Sequence, residues 1–221
     1  MINDEFITTN KLLYEFYQGL DFSFRNEHLN VSLPHLIFVK KQYCENKDKL
    51  MIVGQQTFGW TNMFENDPTL TFIQQMIKTY EKFDLGKTYF KSPFWMSSHY
   101  LAKLFNNEEY DFIWTNLLKV DQNKQRPNKS IEDKICELSM LQNEIRITKP
   151  NVIVFFTGPT YDDIIQKTFP NSKIKKLNEY ISLIEHDSLP KNSYRTYHPN
   201  FLMKKYDYKN VLNEIHQSCK Q

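Results

Sequence analysis

Hydrophobic positions along this chain follow two alternating patterns, one with a helical period and one of short continuous runs. Phe6, Leu12, Leu13, Phe16, Tyr17 and Leu20 keep helical spacing and predict a helix over residues 3–20. Residues 21–49 are mixed and aromatic, with Pro34 and the charged stretch Lys40–Lys49 bringing the chain to a turn. Leu50-Met51-Ile52-Val53 is a continuous apolar run that stops at Gly54, which suits a strand buried on both faces. Helices are predicted at 69–82 and 96–106, followed by a strand at 110–116. A polar loop, Lys119–Ser130, then leads to a helix at 131–147 that Pro150 ends. Asn151–Thr157 contains Val-Ile-Val-Phe-Phe, the clearest strand in the chain, and closes at Gly158-Pro159. A helix near 160–168, a weaker strand at 180–185, an extended piece at 193–197 and a terminal helix at 206–218 complete the pattern.

Strands alternating with helices predict an α/β fold, a three-layer α/β/α sandwich around a central, mostly parallel four-stranded sheet. One domain over 1–221 is expected, with 1–49 as a helical and aromatic extension packed on it. In such a sheet, ligands bind beyond the carboxyl ends of the strands. The segments just past those ends are Gly54–Trp60, Asn116–Asp121, Thr157–Thr160 and His198–Leu202, and they should meet in one cleft.

Composition narrows the function classes. A hydrophobic fraction of 40% with 15% aromatics excludes a disordered chain. No stretch reaches the roughly 20 apolar residues of a membrane span. The acidic start lacks the pattern of a secretory leader, so a soluble, cytoplasmic monomer is the expectation. Cys44, Cys136 and Cys219 are odd in number and far apart, which offers neither a disulfide framework nor a closely spaced metal set. A net charge of +2 requires that any nucleic acid be held by a local basic patch.

Three of the five glycines, Gly54, Gly59 and Gly158, sit in loops that follow predicted strands, where close ligand approach or positive φ would call for them. Neither Gly-x-Gly-x-x-Gly nor Gly-x-x-x-x-Gly-Lys-Ser/Thr occurs. His198 follows the extended piece Tyr194-Arg195-Thr196-Tyr197 and is fixed from behind by Pro199. At the cleft rim its imidazole could donate to a developing anion.

Several of these segments, in chain order, resemble those of the uracil-DNA glycosylase superfamily. Val53-Gly54-Gln55-Gln56-Thr57-Phe58-Gly59 is similar to its Gly-Gln-Asp-Pro-Tyr motif, and Tyr197-His198-Pro199-Asn200-Phe201-Leu202 to its late His-Pro-Ser motif. Phe112–Leu117 resembles the strand whose terminal Asn reads a flipped base. Val152–Thr157 with Gly158-Pro159 resembles the strand and turn that contact a phosphate, and Ser92-Pro93-Phe94-Trp95 the loop that pinches the backbone. The resemblance implies a glycosylase that takes a deaminated or modified base out of the DNA stack and hydrolyses its N-glycosidic bond, with no metal or other cofactor. Gln56 and His198 would be catalytic; Gln55, Phe58, Phe94 and Asn116 would bind the base. Contacts to DNA would come from Ser92, Pro93, Lys119, Lys124, Arg126, Gly158, Asn200 and Lys204. Phe201 or Leu202 would be the wedge that fills the gap left by the base, or else a hydrophobic staple for the terminal helix.

Gln56 stands where the best-known members carry aspartate, Thr57 where they carry proline, and Asn200 where they carry serine. A carboxamide orients water and hydrogen-bonds a base, but it takes no proton at neutral pH. A non-catalytic protein that binds DNA or a modified base on the same fold is therefore the alternative, and an α/β enzyme acting on free nucleosides a third. Three basic segments, Lys87–Lys91, Lys119–Lys129 and Lys204–Lys209, would give DNA binding a steep dependence on salt.

Overall fold

The computed structural model describes residues 2–64, 66–105, 111–205 and 207–220. Its centre is β1 (Leu50–Gln56), whose first four residues are fully buried, as a strand covered on both faces must be. β1 pairs in parallel with β2 (Ile113–Leu118) on one side and β3 (Val152–Phe155) on the other. β3 in turn pairs in parallel with β6 (Asn192–Thr196), the extended piece anticipated at 193–197. β5 (Ile181–Glu185) runs antiparallel to β6, and β4 (Lys173–Lys176) antiparallel to β5. Among the described residues the order is β2-β1-β3-β6-β5-β4.

The α/β class and the mostly parallel sheet hold, but the sheet has six strands where four were expected. β4 escapes sequence reading because Lys173-Ile174-Lys175-Lys176 carries little apolar signal, three of its residues being exposed at the sheet edge. Lysines there leave the edge unattractive to a further strand. The second strand sits later than anticipated, and Tyr110, in the anticipated range, lies outside the described residues.

Helices cover both faces. α1 (Ile2–Gln18) packs on α6 (Met140–Thr148), and α5 (Lys129–Glu137) on α7 (Asp162–Thr168). On the opposite face α4 (Pro93–Leu104) packs on α8 (Pro199–Lys205) and α9 (Tyr208–Ser218). Neighbouring residues of β2 show the two sides, since side chains alternate along a strand. Trp114 meets Trp95 of α4, while the Thr115 hydroxyl donates to Glu144 of α6. α2 (Lys41–Glu45) and α8 were not foreseen, and the anticipated helix 131–147 is two helices broken where Ser139 turns to φ 50°. α3 (Phe72–Phe83) opens with a capping box between Thr71 and Gln74. α4 begins earlier than anticipated, with Ser92 as its cap and Pro93 in its first turn.

Residues 1–49 are more than a cover. Leu13, Tyr17, Leu36, Ile37 and Val39 belong to the same hydrophobic core as the sheet. The backbone N–H groups of Ser32 and His35 donate to the carbonyls of Asp121 and Lys119 at 2.8 Å each, which ties this segment to the end of β2. No helix among the described residues is long and apolar enough to cross a membrane.

Candidate functional site

The carboxyl ends of β1 and β2, the start of α4 and the turn before α8 enclose one cleft of about 610 Å³. Its floor is made where Gly54 of β1 lies opposite Asn116 of β2. The Asn116 carboxamide lies directly over Gly54, so close that a Cβ on residue 54 would stand nearer its Oδ1 than the 3.0 Å that real Cβ atoms respect. Glycine is what lets the carboxamide approach this closely, since the backbone at residue 54 has no positive φ to call for it. Asn116 is buried, and its Nδ2 has no hydrogen-bond partner among the described residues. An unmade bond of that kind costs about 1–3 kcal/mol, which a ligand acceptor would recover.

The loop after β1 is held from below by Asp121. Its Oδ2 accepts from the Thr57 hydroxyl at 2.7 Å and from the Gly59 N–H at 2.9 Å, and its Oδ1 from the Lys124 N–H at 2.8 Å. Gly59 meets this clamp in the left-handed region, at φ 68°. Thr57 is thus an anchor in place of the expected motif's proline, its hydroxyl also 3.1 Å from that of Ser32. Gln55 Nε2 donates to the Thr157 carbonyl at 2.8 Å. The Gln56 carbonyl accepts from the Tyr161 hydroxyl. Burial pushes the pKa of that hydroxyl up to about 12, so it stays protonated and keeps the Gln56 oxygen engaged. What Gln56 retains for the cleft is its amide N–H2.

Across the cleft stands His198. Its Nδ1 accepts from the Asn200 N–H at 3.2 Å, which leaves the proton of the neutral ring on Nε2. Burial lowers its pKa from the ordinary 6.5 to about 4, so the ring is an uncharged donor at neutral pH. Phe94, on the first turn of α4, stacks against it with centroids 6.0 Å apart and 30° between planes.

Gln55, Gln56, Phe58, Ser92, Pro93 and Phe94 therefore line one cleft. They share it with Asn116, His198 and Asn200. Phe58 stands at its mouth, 79% exposed, while Phe94 supplies the half-buried inner wall. Lys124 and Lys204 are exposed on the surrounding loops, as is Phe201, which stacks on Tyr197 at 4.6 Å.

Four expected DNA contacts are corrected. Lys119 is buried and paired with Glu144, because strand alternation sends it to the α6 face with Thr115. Arg126 is already bound to Glu132, to Asp163 at 3.1 Å and to the Thr160 carbonyl at 2.8 Å, and it lies over the Tyr161 ring. Gly158 is buried and spends its N–H on the Thr196 carbonyl at 3.0 Å. Leu202 is fully buried on the inner side of α8, which rules it out as a wedge and leaves Phe201 alone for that role.

Asp121 and Tyr161 were missed as site residues. Asp121 ends one of the anticipated segments, but its role needs the loop after β1 folded over it. Tyr161 carries no sequence signal. No group of three or more His, Cys, Asp or Glu among the described residues is placed to hold a metal ion. No protein-family model matches the chain, and no curated protein does.

Proposed function

We propose that this protein is a DNA glycosylase that binds a deaminated or modified base in the cleft and hydrolyses its N-glycosidic bond. The observation that carries this reading is one buried carboxamide with unspent N–H groups, Asn116, in the same cleft as a neutral imidazole whose N–H is free to donate, His198. A nucleobase edge offers carbonyl oxygens to both groups. The base leaves the stack at a cost of a few kcal/mol and slides against Phe94, and Phe201 fills the gap behind it.

As the bond from the sugar carbon to the base nitrogen breaks, its electron pair passes to the base. The His198 N–H donates to the base carbonyl on which that charge collects, and it does so without carrying a charge that water would have to solvate. Water then adds its oxygen to the sugar carbon and releases a proton to solvent, and the departed base takes one up. Gln56 orients this water through its amide N–H2 but does not remove the proton. Lys124 and Lys204 bring phosphates to the rim, and the protein acts as a cytoplasmic monomer.

A second reading, binding without cleavage, draws on the same Gln56: its oxygen is engaged by Tyr161 and no carboxylate replaces it. Oligonucleotides that carry uracil, hypoxanthine or modified cytosines, incubated with the protein and then treated with alkali, separate the two. Strand breaks that His198→Ala abolishes are expected. A salt-sensitive complex with intact strands establishes the second reading, and no complex with any base overturns both.

A further inference from the structure

We infer that the cleft accepts a base enlarged by a bulky substituent with flat apolar faces and oxygen acceptors; this deepens the base-excision reading and rests on it. The first reason is size. A flipped nucleotide, with base, sugar and phosphate, has about twenty heavy atoms and fills roughly 350 Å³ at interior packing density. Placed in about 610 Å³, it leaves more than a third of the cleft unfilled.

The second reason is the chemistry of the remaining walls. The groups that suit a bare base, Gln55, Gln56, Phe94, Asn116 and His198, make up only some of the lining. Most of the other side chains are apolar, and most of those are aromatic. Phe83 lies 5.5 Å from Trp60, 5.2 Å from Trp114, 5.3 Å from Trp95 and 5.7 Å from Tyr89, centroid to centroid, and all five rings line the cleft. An unsubstituted pyrimidine has no group to place against them. Aromatic faces attract C–H groups and other rings.

The third reason is a set of unspent donors. The indole N–H groups of Trp60 and Trp114 are buried and have no partner among the described residues. A substituent that bears oxygen, such as a pyranose or an aryl ether, would meet both demands at once. Tyr89, 46% exposed, marks where this aromatic end opens to solvent and lets a long substituent leave.

The test uses single-turnover excision from one oligonucleotide sequence carrying uracil, hypoxanthine, glucosylated 5-hydroxymethylcytosine or 5-(benzyloxymethyl)uracil. At least one enlarged base is expected to be excised tenfold or more faster than uracil and hypoxanthine. The glucosyl and benzyl arms tell a sugar from an aryl group. Tyr89→Ala, at a half-exposed position, should collapse that ratio, and Trp60→Phe should lower it by removing the indole donor. Tight binding of an enlarged base with no cleavage supports the inference under the second reading. Uracil or hypoxanthine excised as fast as the better of the two enlarged bases overturns the inference and leaves the glycosylase standing. Failure to bind or cut any of the four overturns both.

Discussion

Adding one methyl group at Gly54 probes the site most sharply. Gly54→Ala puts a Cβ inside the space of the Asn116 Oδ1 and at 3.5 Å from the Phe94 ring. The backbone does not object, since Gly54 is not among the residues with positive φ. Nor can the two strands part easily, because Gly54 and Asn116 face each other in register within the paired sheet. The Asn116 carboxamide must therefore give way, its oxygen retreating by about 1 Å to reach van der Waals distance. Crowding of this kind costs about 1–3 kcal/mol of stability, which a fold of this size can bear. A misplacement of about 1 Å at a recognition group costs roughly 100-fold in rate. Single-turnover excision, or affinity under the binding reading, should fall by that factor while the variant still melts cooperatively. The control is a double-mutant cycle. With Asn116→Ala already present the clash is gone, so Gly54→Ala should then cost no more than about twofold, the limit for independent sites. An equal loss in both backgrounds, or none in the native one, would refute the claim that Asn116 reads the ligand from above Gly54.

The other expected outcomes are simpler. Tyr161→Phe removes the donor to the Gln56 carbonyl, frees that carboxamide to turn, and should lower excision about tenfold for about 1 kcal/mol of stability; an unchanged rate would show that Gln56 needs no such anchor. Glu144→Gln leaves the Lys119 ammonium buried without its counter-charge and should cost about 3–5 kcal/mol, whereas Lys119→Met with Glu144→Leu should recover most of the loss, both read by denaturant unfolding. Stability should decline as pH drops below about 6.5. Burial keeps His198 neutral down to about pH 4 and lowers the pKa of His35 well below 6.5, aided by the nearby Lys119 charge, while the unfolded chain takes up a proton at each. The contribution is complete above pH 6.5 and is lost as the pH falls towards 4, amounting to about 3 kcal/mol for His198; a melting temperature flat from pH 7 to 4.5 would contradict it.

Much of this architecture is legible in the sequence. A run such as Leu50–Val53 or Val152–Phe156 has one physical solution, a strand covered on both faces, and the chain order then sends the strand ends to one side. That logic brought Gln55, Gln56, Asn116 and His198 to a single cleft from segments as much as 143 residues apart in the chain, counting from Gln55 to His198. Part of what went astray was also within reach, for Lys119 shares the period-two face of Thr115 and not that of Asn116.

The remainder belongs to tertiary structure alone. Hydrophobic periodicity says which side of an element is buried, but not which group it meets there. Tyr17 donates to a carboxylate 127 residues away, and Tyr161 finds Gln56 across 105 residues. Arg126, which reads from the sequence as a contact for DNA, is spent on two acids brought to it by α5 and α7. Whether a polar side chain is free to bind a ligand depends on such long-range partners. Local sequence carries the propensity to form an element, and only the assembled sheet and helices decide which donors remain unspent.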